Sequence, residues 1–291
     1  MNYLMFIYIS AVWGSSFVLM KWADDSYDPL SLATYRLIGA ALTLYICRLF
    51  VKEKKAFPKE DIGPLFLLSV STIIPFAVQP FLISKYGSAF IGMMVVFVPL
   101  LTIIVSIPLL KRYPAKREIT GVLGGLVFSW LIVNDGMERN VTIIDLLLAF
   151  SIPLSYALGN TYTKKRLSHL KSLDLSLGIM LFSALMLWPF ATFYEDVHLN
   201  EHFKEATTYL LLLGIFGTGI PIVLFYYLIN QKGPLFAGMV TYVIPIGALL
   251  WGAATKERIT DLQIMAIAGL LLMVALVQWP EKKTGAVSKK S

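Results

Sequence analysis

One arginine, Arg36, stands inside a long apolar run. Guanidinium keeps its charge at any physiological pH and binds carboxylate or phosphate in a bidentate way. Two roles fit it. As an anchor it would hold the anionic end of a small solute. As a structural group it would snorkel to a headgroup or fix its helix to a neighbour's carbonyls, being about seven residues, ~10 Å, below the end of its run. Other polar and aromatic side chains stand in similar runs. Gln79 lies one turn beyond Pro75. Tyr156 and Asn160 are four apart and share a helix face. Trp13, Ser16 and Phe17 recur at i, i+3 and i+4. Phe97, Tyr226, Tyr227 and Tyr242 lie close in sequence to prolines. Together these would line an aromatic-walled cavity for a zwitterionic or apolar metabolite. An unpaired amide in lipid is costly, which assigns Gln79, Asn160 and Tyr242 to the cavity. Lipid-facing or interfacial packing is the alternative for any aromatic ring, above all Trp22, Trp188, Trp251 and Trp279. Ser15 and Ser16 suit close helix packing.

Enzymatic chemistry is not expected. There is no Gly-x-Ser-x-Gly, no His-Glu-x-x-His and no intramembrane pair of His or Asp. The single cysteine, Cys47, rules out an intramolecular disulfide framework. His198 and His202, four apart beside Glu195 and Glu201, read as a solvated loop rather than a zinc site. No metal and no cofactor is therefore expected. Asp145, Asp174 and Glu257 lie near run ends, so a midplane carboxylate relay for protons is not expected either.

These residues sit in a chain of 291, 57% hydrophobic and only 15% charged. A soluble domain carries about 25% charge, so the apolar excess must face lipid. Ten runs are long enough to cross a ~30 Å core, each needing roughly 20 residues. They are 3–22, 29–51, 62–84, 88–110, 118–133, 141–163, 174–194, 207–229, 234–255 and 261–279. Continuous runs exclude a β-barrel, whose strands alternate over about ten residues. The first run lacks a basic flank and a small-residue cleavage site, so it reads as a packed helix and not a signal peptide. The expected architecture is all-α and polytopic, with ten transmembrane helices.

The charge balance, 25 Lys+Arg against 18 Asp+Glu, gives +7. In a soluble protein this would suggest nucleic acid; here its distribution matters more, and no nucleic-acid partner is expected. With the N-terminus placed in the cytoplasm, 18 basic residues fall in inner segments and 6 in outer ones, leaving Arg36 over. That asymmetry predicts both termini in the cytoplasm of a cell-membrane (plasma or inner membrane) protein.

The halves repeat at an offset of 145 to 146 residues. Ile74-Pro75 returns as Ile220-Pro221, and Val98-Pro99-Leu100 as Ile244-Pro245-Ile246. Gly87 returns as Gly233, Gly124 as Gly269, and Gly14-Ser15-Ser16 as Gly159-Asn160-Thr161. Five helices per copy is an odd number, so the copies enter the membrane from opposite sides. Inverted repeats of this kind are typical of secondary transporters. Pro75, Pro99, Pro221 and Pro245 are expected as hinges, because an internal proline removes a backbone hydrogen bond and kinks the helix. Arg36 breaks the symmetry, since its counterpart is Met180.

On these residues the chain resembles the EamA-like members of the drug/metabolite transporter superfamily. The resemblance rests on Trp13-Gly14-Ser15-Ser16-Phe17, Ala33-x-x-Arg36-x-x-x-Ala40, Val98-Pro99, and Ile244-Pro245 followed by Lys256-Glu257-Arg258-Ile259-Thr260. It covers 3–279. A Gly-Glu-Arg-like turn often follows the fourth helix in such proteins; here the place reads Lys111-Arg112-Tyr113, and only the second half keeps Glu257-Arg258. The resemblance implies a first repeat over 1–136, a second over 137–280 and a basic tail over 281–291. It implies alternating-access transport or export of small metabolites such as amino acids or drug-like compounds, passive or by exchange. Sugar-phosphate or nucleotide exchange, and a non-transporting membrane subunit, are the alternatives. The partners implied are a small-molecule solute and the lipid bilayer, with the protein a monomer or weak homodimer.

Overall fold

The computed structural model describes residues 1–51, 58–134, 141–247, 251 and 261–279. These form α1 (Asn2–Ala23), α2 (Pro29–Leu49), α3 (Lys59–Tyr86), α4 (Ser88–Val95), α5 (Val98–Leu110) and α6 (Lys116–Asn134). Then follow α7 (Ile143–Tyr162), α8 (Ser172–Tyr194), α9 (Phe203–Leu212), α10 (Ile220–Lys232), α11 (Pro234–Gly238) and α12 (Asp261–Gln278). Six stretches are long and apolar enough to cross a membrane by length and composition: Asn2–Ala23, Pro29–Leu49, Lys59–Tyr86, Ile143–Leu167, Ser172–Tyr194 and Phe203–Lys232. Leu4, Ile7, Leu42, Leu67, Leu147, Leu185 and Leu272 turn outward. Water would not tolerate such an exterior, and hydrocarbon does. The protein is an all-α polytopic membrane protein.

The expected spans 88–110, 207–229 and 234–255 are not continuous α-helices, whereas 118–133 and 261–279 are α6 and α12. The stretch 88–110 breaks at Val96-Phe97, and Pro99 occupies the first turn of α5 instead of a mid-helix kink. Proline lacks the N–H that a helix interior uses, whereas the first turn leaves that donor free anyway. Pro221 likewise stands in the first turn of α10, directly after a wide π-helical turn over Leu213–Gly219. Beyond α11 the chain tightens into a 3₁₀ turn, Met239–Tyr242. Pro245 lies in a helical segment over 244–247. Pro75 is buried inside α3, with Pro64 and Pro80. The motif Lys256-Glu257-Arg258 lies outside the described residues.

Glycines set the close contacts. Gly14 of α1 meets Gly247 backbone to backbone, and Gly39 of α2 meets Gly214 in the π turn. Without side chains these backbones come within van der Waals reach, as membrane helices commonly arrange. Gly121 and Gly124 seat α6 against Met273 and Val277 of α12. The remaining principal pairings are α2 with α8, α3 with α7, α5 with α7, and α1 with α9 and α10.

At one end of the bundle, the loop after α8 latches onto the α1–α2 turn. The Glu195 carboxylate accepts from Leu30 N at 3.0 Å and Ser31 N at 2.7 Å. It thus caps α2, whose own N-cap residue Asp28 makes no side-chain cap bond. Anionic groups are favoured at such an N-terminus by its free N–H groups and dipole. Ser26 Oγ donates to Asn200 Oδ1 at 2.8 Å, and His198 Nε2 lies 3.2 Å from Asp28 Oδ1. So His198 and His202 belong to this latch region. Among the described residues no three His, Cys, Asp or Glu side chains come close enough to hold a metal ion.

Candidate functional site

A cavity lies where α1, α2, α3, α7 and α10 converge. Its wall includes Trp13, Phe17, Arg36, Gln79, Tyr156, Asn160 and Tyr226. It offers about 80 Å³ to the centres of water-sized molecules. One water needs roughly 10–15 Å³ by that measure, so several waters or a small solute fit.

Arg36 enters from α2 and is 6% exposed. Its Nε donates to Thr218 Oγ1 at 2.7 Å, and Nη1 reaches Met20 Sδ at 3.2 Å. The guanidinium carbon lies 4.8 Å from the centre of the Phe76 ring. No carboxylate lies within ion-pairing distance of Arg36 among the described residues. Thr218 is placed for its role by the π turn, which widens the helix between Gly217 and Gly219 and turns the hydroxyl toward α2. Single π turns of this kind are frequent at functional sites.

Opposite, Gln79 Nε2 of α3 donates to the Tyr156 hydroxyl of α7 at 3.0 Å. This leaves Gln79 Oε1 as an acceptor. Asn160 follows on the same face of α7 and is buried. Tyr226 of α10 is buried and lines the cavity together with Thr72 of α3. Trp13 packs on Phe225 with ring centres 4.9 Å apart, giving the site an aromatic side.

Three residues assigned to the cavity from sequence lie elsewhere; Tyr227 is half-buried on α10 outside the cavity wall. Tyr242 is fully buried in the core, and its hydroxyl donates to the Val122 carbonyl at 2.6 Å. Its ring fills the space left by Gly125. Phe97 packs on Phe150, with ring centres 6.1 Å apart, at the α4–α5 break. Phe97 and Tyr242 stand close to a proline in sequence, but the helix breaks turn them out of the cavity. The structure adds Thr218, Met20 and Phe76, the neutral partners of Arg36, which sequence reasoning missed. The one signal was a hydroxyl between two glycines, Gly217-Thr218-Gly219, in an apolar run.

A sequence model of the EamA-like transporter family matches residues 1–134 and 143–279. The chain is 24% identical over 275 residues to an uncharacterized transporter of Bacillus subtilis, YoaV, covering 92% of each chain. It is 24% identical to protein PagO of Salmonella typhimurium, over 95% of this chain and 94% of that one. It is also 24% identical to an uncharacterized inner membrane transporter of Escherichia coli, YedA, over 91% and 87%. One crystal structure superimposes with a TM-score of 0.76 at 16% identity, over 96% of this chain and 98% of the other, a likeness of fold.

Proposed function

The chain belongs to the EamA-like transporter family, and on that premise we propose that it moves a small organic metabolite bearing an anionic group, by alternating access through the cavity around Arg36. Membership places it among transporters rather than enzymes. The observation that carries the proposal is Arg36 itself, a buried cation whose partners among the described residues are all neutral. A buried charge without a counter-charge is costly. An anionic solute supplies the missing partner at each cycle. A snorkelling arginine would reach toward headgroups; this one is held inward by Thr218. The small cavity favours a solute of amino-acid size over a nucleotide sugar.

We further read the architecture as ten spans in two inverted halves, 1–136 and 137–280. Reciprocal packing supports it: α3 lies on α7 as α9 and α10 lie on α1. The pairs α2–α8 and α6–α12 join corresponding elements of the two halves. Two halves that can exchange conformations give outward-open and inward-open states of similar energy. The breaks beside Pro99 and Pro221, with Pro75 and Pro245, are the hinges in this scheme. The distribution of Lys and Arg supports cytoplasmic termini, and an inner membrane agrees with the name of the Escherichia coli relative. The protein would work as a monomer or weak homodimer.

The test is solute uptake into liposomes holding only this protein, with Arg36→Lys and Arg36→Gln compared at equal incorporation. Saturable uptake by the parent, reduced in Arg36→Lys and lost in Arg36→Gln, supports the proposal. Normal uptake by both variants defeats it, and no saturable flux at all would favour a non-transporting subunit.

A further inference from the structure

Arg36 is the one charged side chain among the described residues that line the cavity. The buried acids described elsewhere in the protein are already committed. Asp61 faces His169 at 2.8 Å. Glu118 pairs with Arg112 at 2.6 Å and accepts from Ala115 N at 2.9 Å. Asp145 takes Lys85, Tyr86 and Thr142 together. The protein's own groups therefore give the cavity one positive charge, in surroundings of low polarity formed by Trp13, Phe17, Phe225 and Ile244.

Resting on the reading of this cavity as the solute site, we infer that it selects net monoanions, apolar monocarboxylates, over zwitterions that carry the same carboxylate. Charge decides between them. A monocarboxylate brings the site to zero. A zwitterion leaves it at +1 and places an ammonium near the guanidinium, where the low dielectric strengthens repulsion. Neutral oxygens do stand ready: Gln79 Oε1, the Asn160 amide and the Tyr156 hydroxyl. They satisfy N–H groups but cancel no net charge. For a monocarboxylate the Asn160 amide N–H and the Tyr156 hydroxyl can instead donate to the second carboxylate oxygen, while the aromatic side takes the apolar body.

The experiment uses two matched sets on the full-length protein, read by ligand-induced thermal shift and by uptake into liposomes. One set is 3-phenylpropanoate, phenylalanine and 2-phenylethylamine; the other is 4-methylpentanoate, leucine and 3-methylbutylamine. Members of a set share their apolar body and differ in charged groups alone. The acid is expected to bind roughly tenfold or more tightly than the amino acid, as an uncompensated buried charge demands. The amine is expected not to bind. Arg36→Gln should abolish binding of the acid. Asn160→Asp, nearly isosteric, installs the absent carboxylate and should move the preference toward the amino acid; this second variant serves if Arg36→Gln fails to fold. Amino-acid binding equal to that of the acid, but lost in Arg36→Gln, overturns the monoanion inference and leaves the anchor standing. Preference for the amine, or no binding by any member of either set, overturns both.

Discussion

The Arg36 Nε donates to Thr218 Oγ1 across 2.7 Å, joining α2 to a π turn 182 residues further along the chain. The bond aims the guanidinium and occupies one edge of it, leaving Nη2 free of protein hydrogen bonds among the described residues. Thr218→Val keeps the shape and removes the acceptor. A hydrogen bond to a charged group is worth about 1.5–3 kcal/mol, so solute binding should weaken by roughly ten- to a hundredfold. Thr218→Ser should restore most of it. Titration calorimetry on the two variants checks both expectations.

Glu195 caps α2 from the far side of the sequence, through Leu30 N and Ser31 N. Glu195→Ala should cost about 1–2 kcal/mol, the usual worth of an N-terminal cap with some charge assistance. Glu195→Gln, which keeps an acceptor and loses the charge, should fall between. Thermal unfolding in detergent measures the order.

Asp24 follows α1 in the same latch, and its pKa is raised from 3.8 to about 6. Burial is the main cause, with the neighbouring carboxylates Asp25 and Asp28 adding to it. Because the folded state holds the proton more tightly than the unfolded one, this group's contribution is fully present below pH 3.8. It is lost as pH rises through about 6. Asp24→Asn should therefore raise the melting temperature at pH 7.5 and flatten the melting curve's pH dependence between 7.5 and 4. An unchanged pH profile in the variant would show that Asp24 does not titrate this way.

Gly14 faces Gly247 so closely that a Cβ at Gly14 would lie 3.1 Å from the Gly247 Cα. Backbone cannot step aside as a flexible side chain can. Gly14→Ala should cost about 1–3 kcal/mol in overpacking. It should also depress uptake, because α1 carries Trp13 and Phe17 into the cavity. Gly63, with open space around its Cα, is the control, where alanine should leave uptake unchanged.

Much of the cavity's lining could be read from residue type. Arg36, Gln79, Tyr156 and Asn160 stand out because polar groups in apolar helices must face protein or a cavity. Six of the ten expected runs correspond to stretches long and apolar enough to cross a membrane, because hydrocarbon thickness sets run length. The partners of Arg36 could not. Thr218, Met20 and Phe76 reach it only through tertiary packing, and a threonine or methionine in an apolar helix carries no distinctive signal. Tyr242 was misplaced for the same reason: its hydroxyl found the Val122 carbonyl instead of a cavity. The break at Val96-Phe97 follows from Pro99, but the sequence did not tell a kink from a new helix start. Those differ only in whether the preceding carbonyls find other partners.

Whether the solute's anionic group sits on Arg36 can be seen in a crystal structure with 3-(4-bromophenyl)propanoate. An anomalous bromine peak is expected beside Trp13 and Phe225, with the carboxylate on the Arg36 guanidinium. A bromine peak outside this cavity, or one inside it with the carboxylate turned away from Arg36, would contradict that placement.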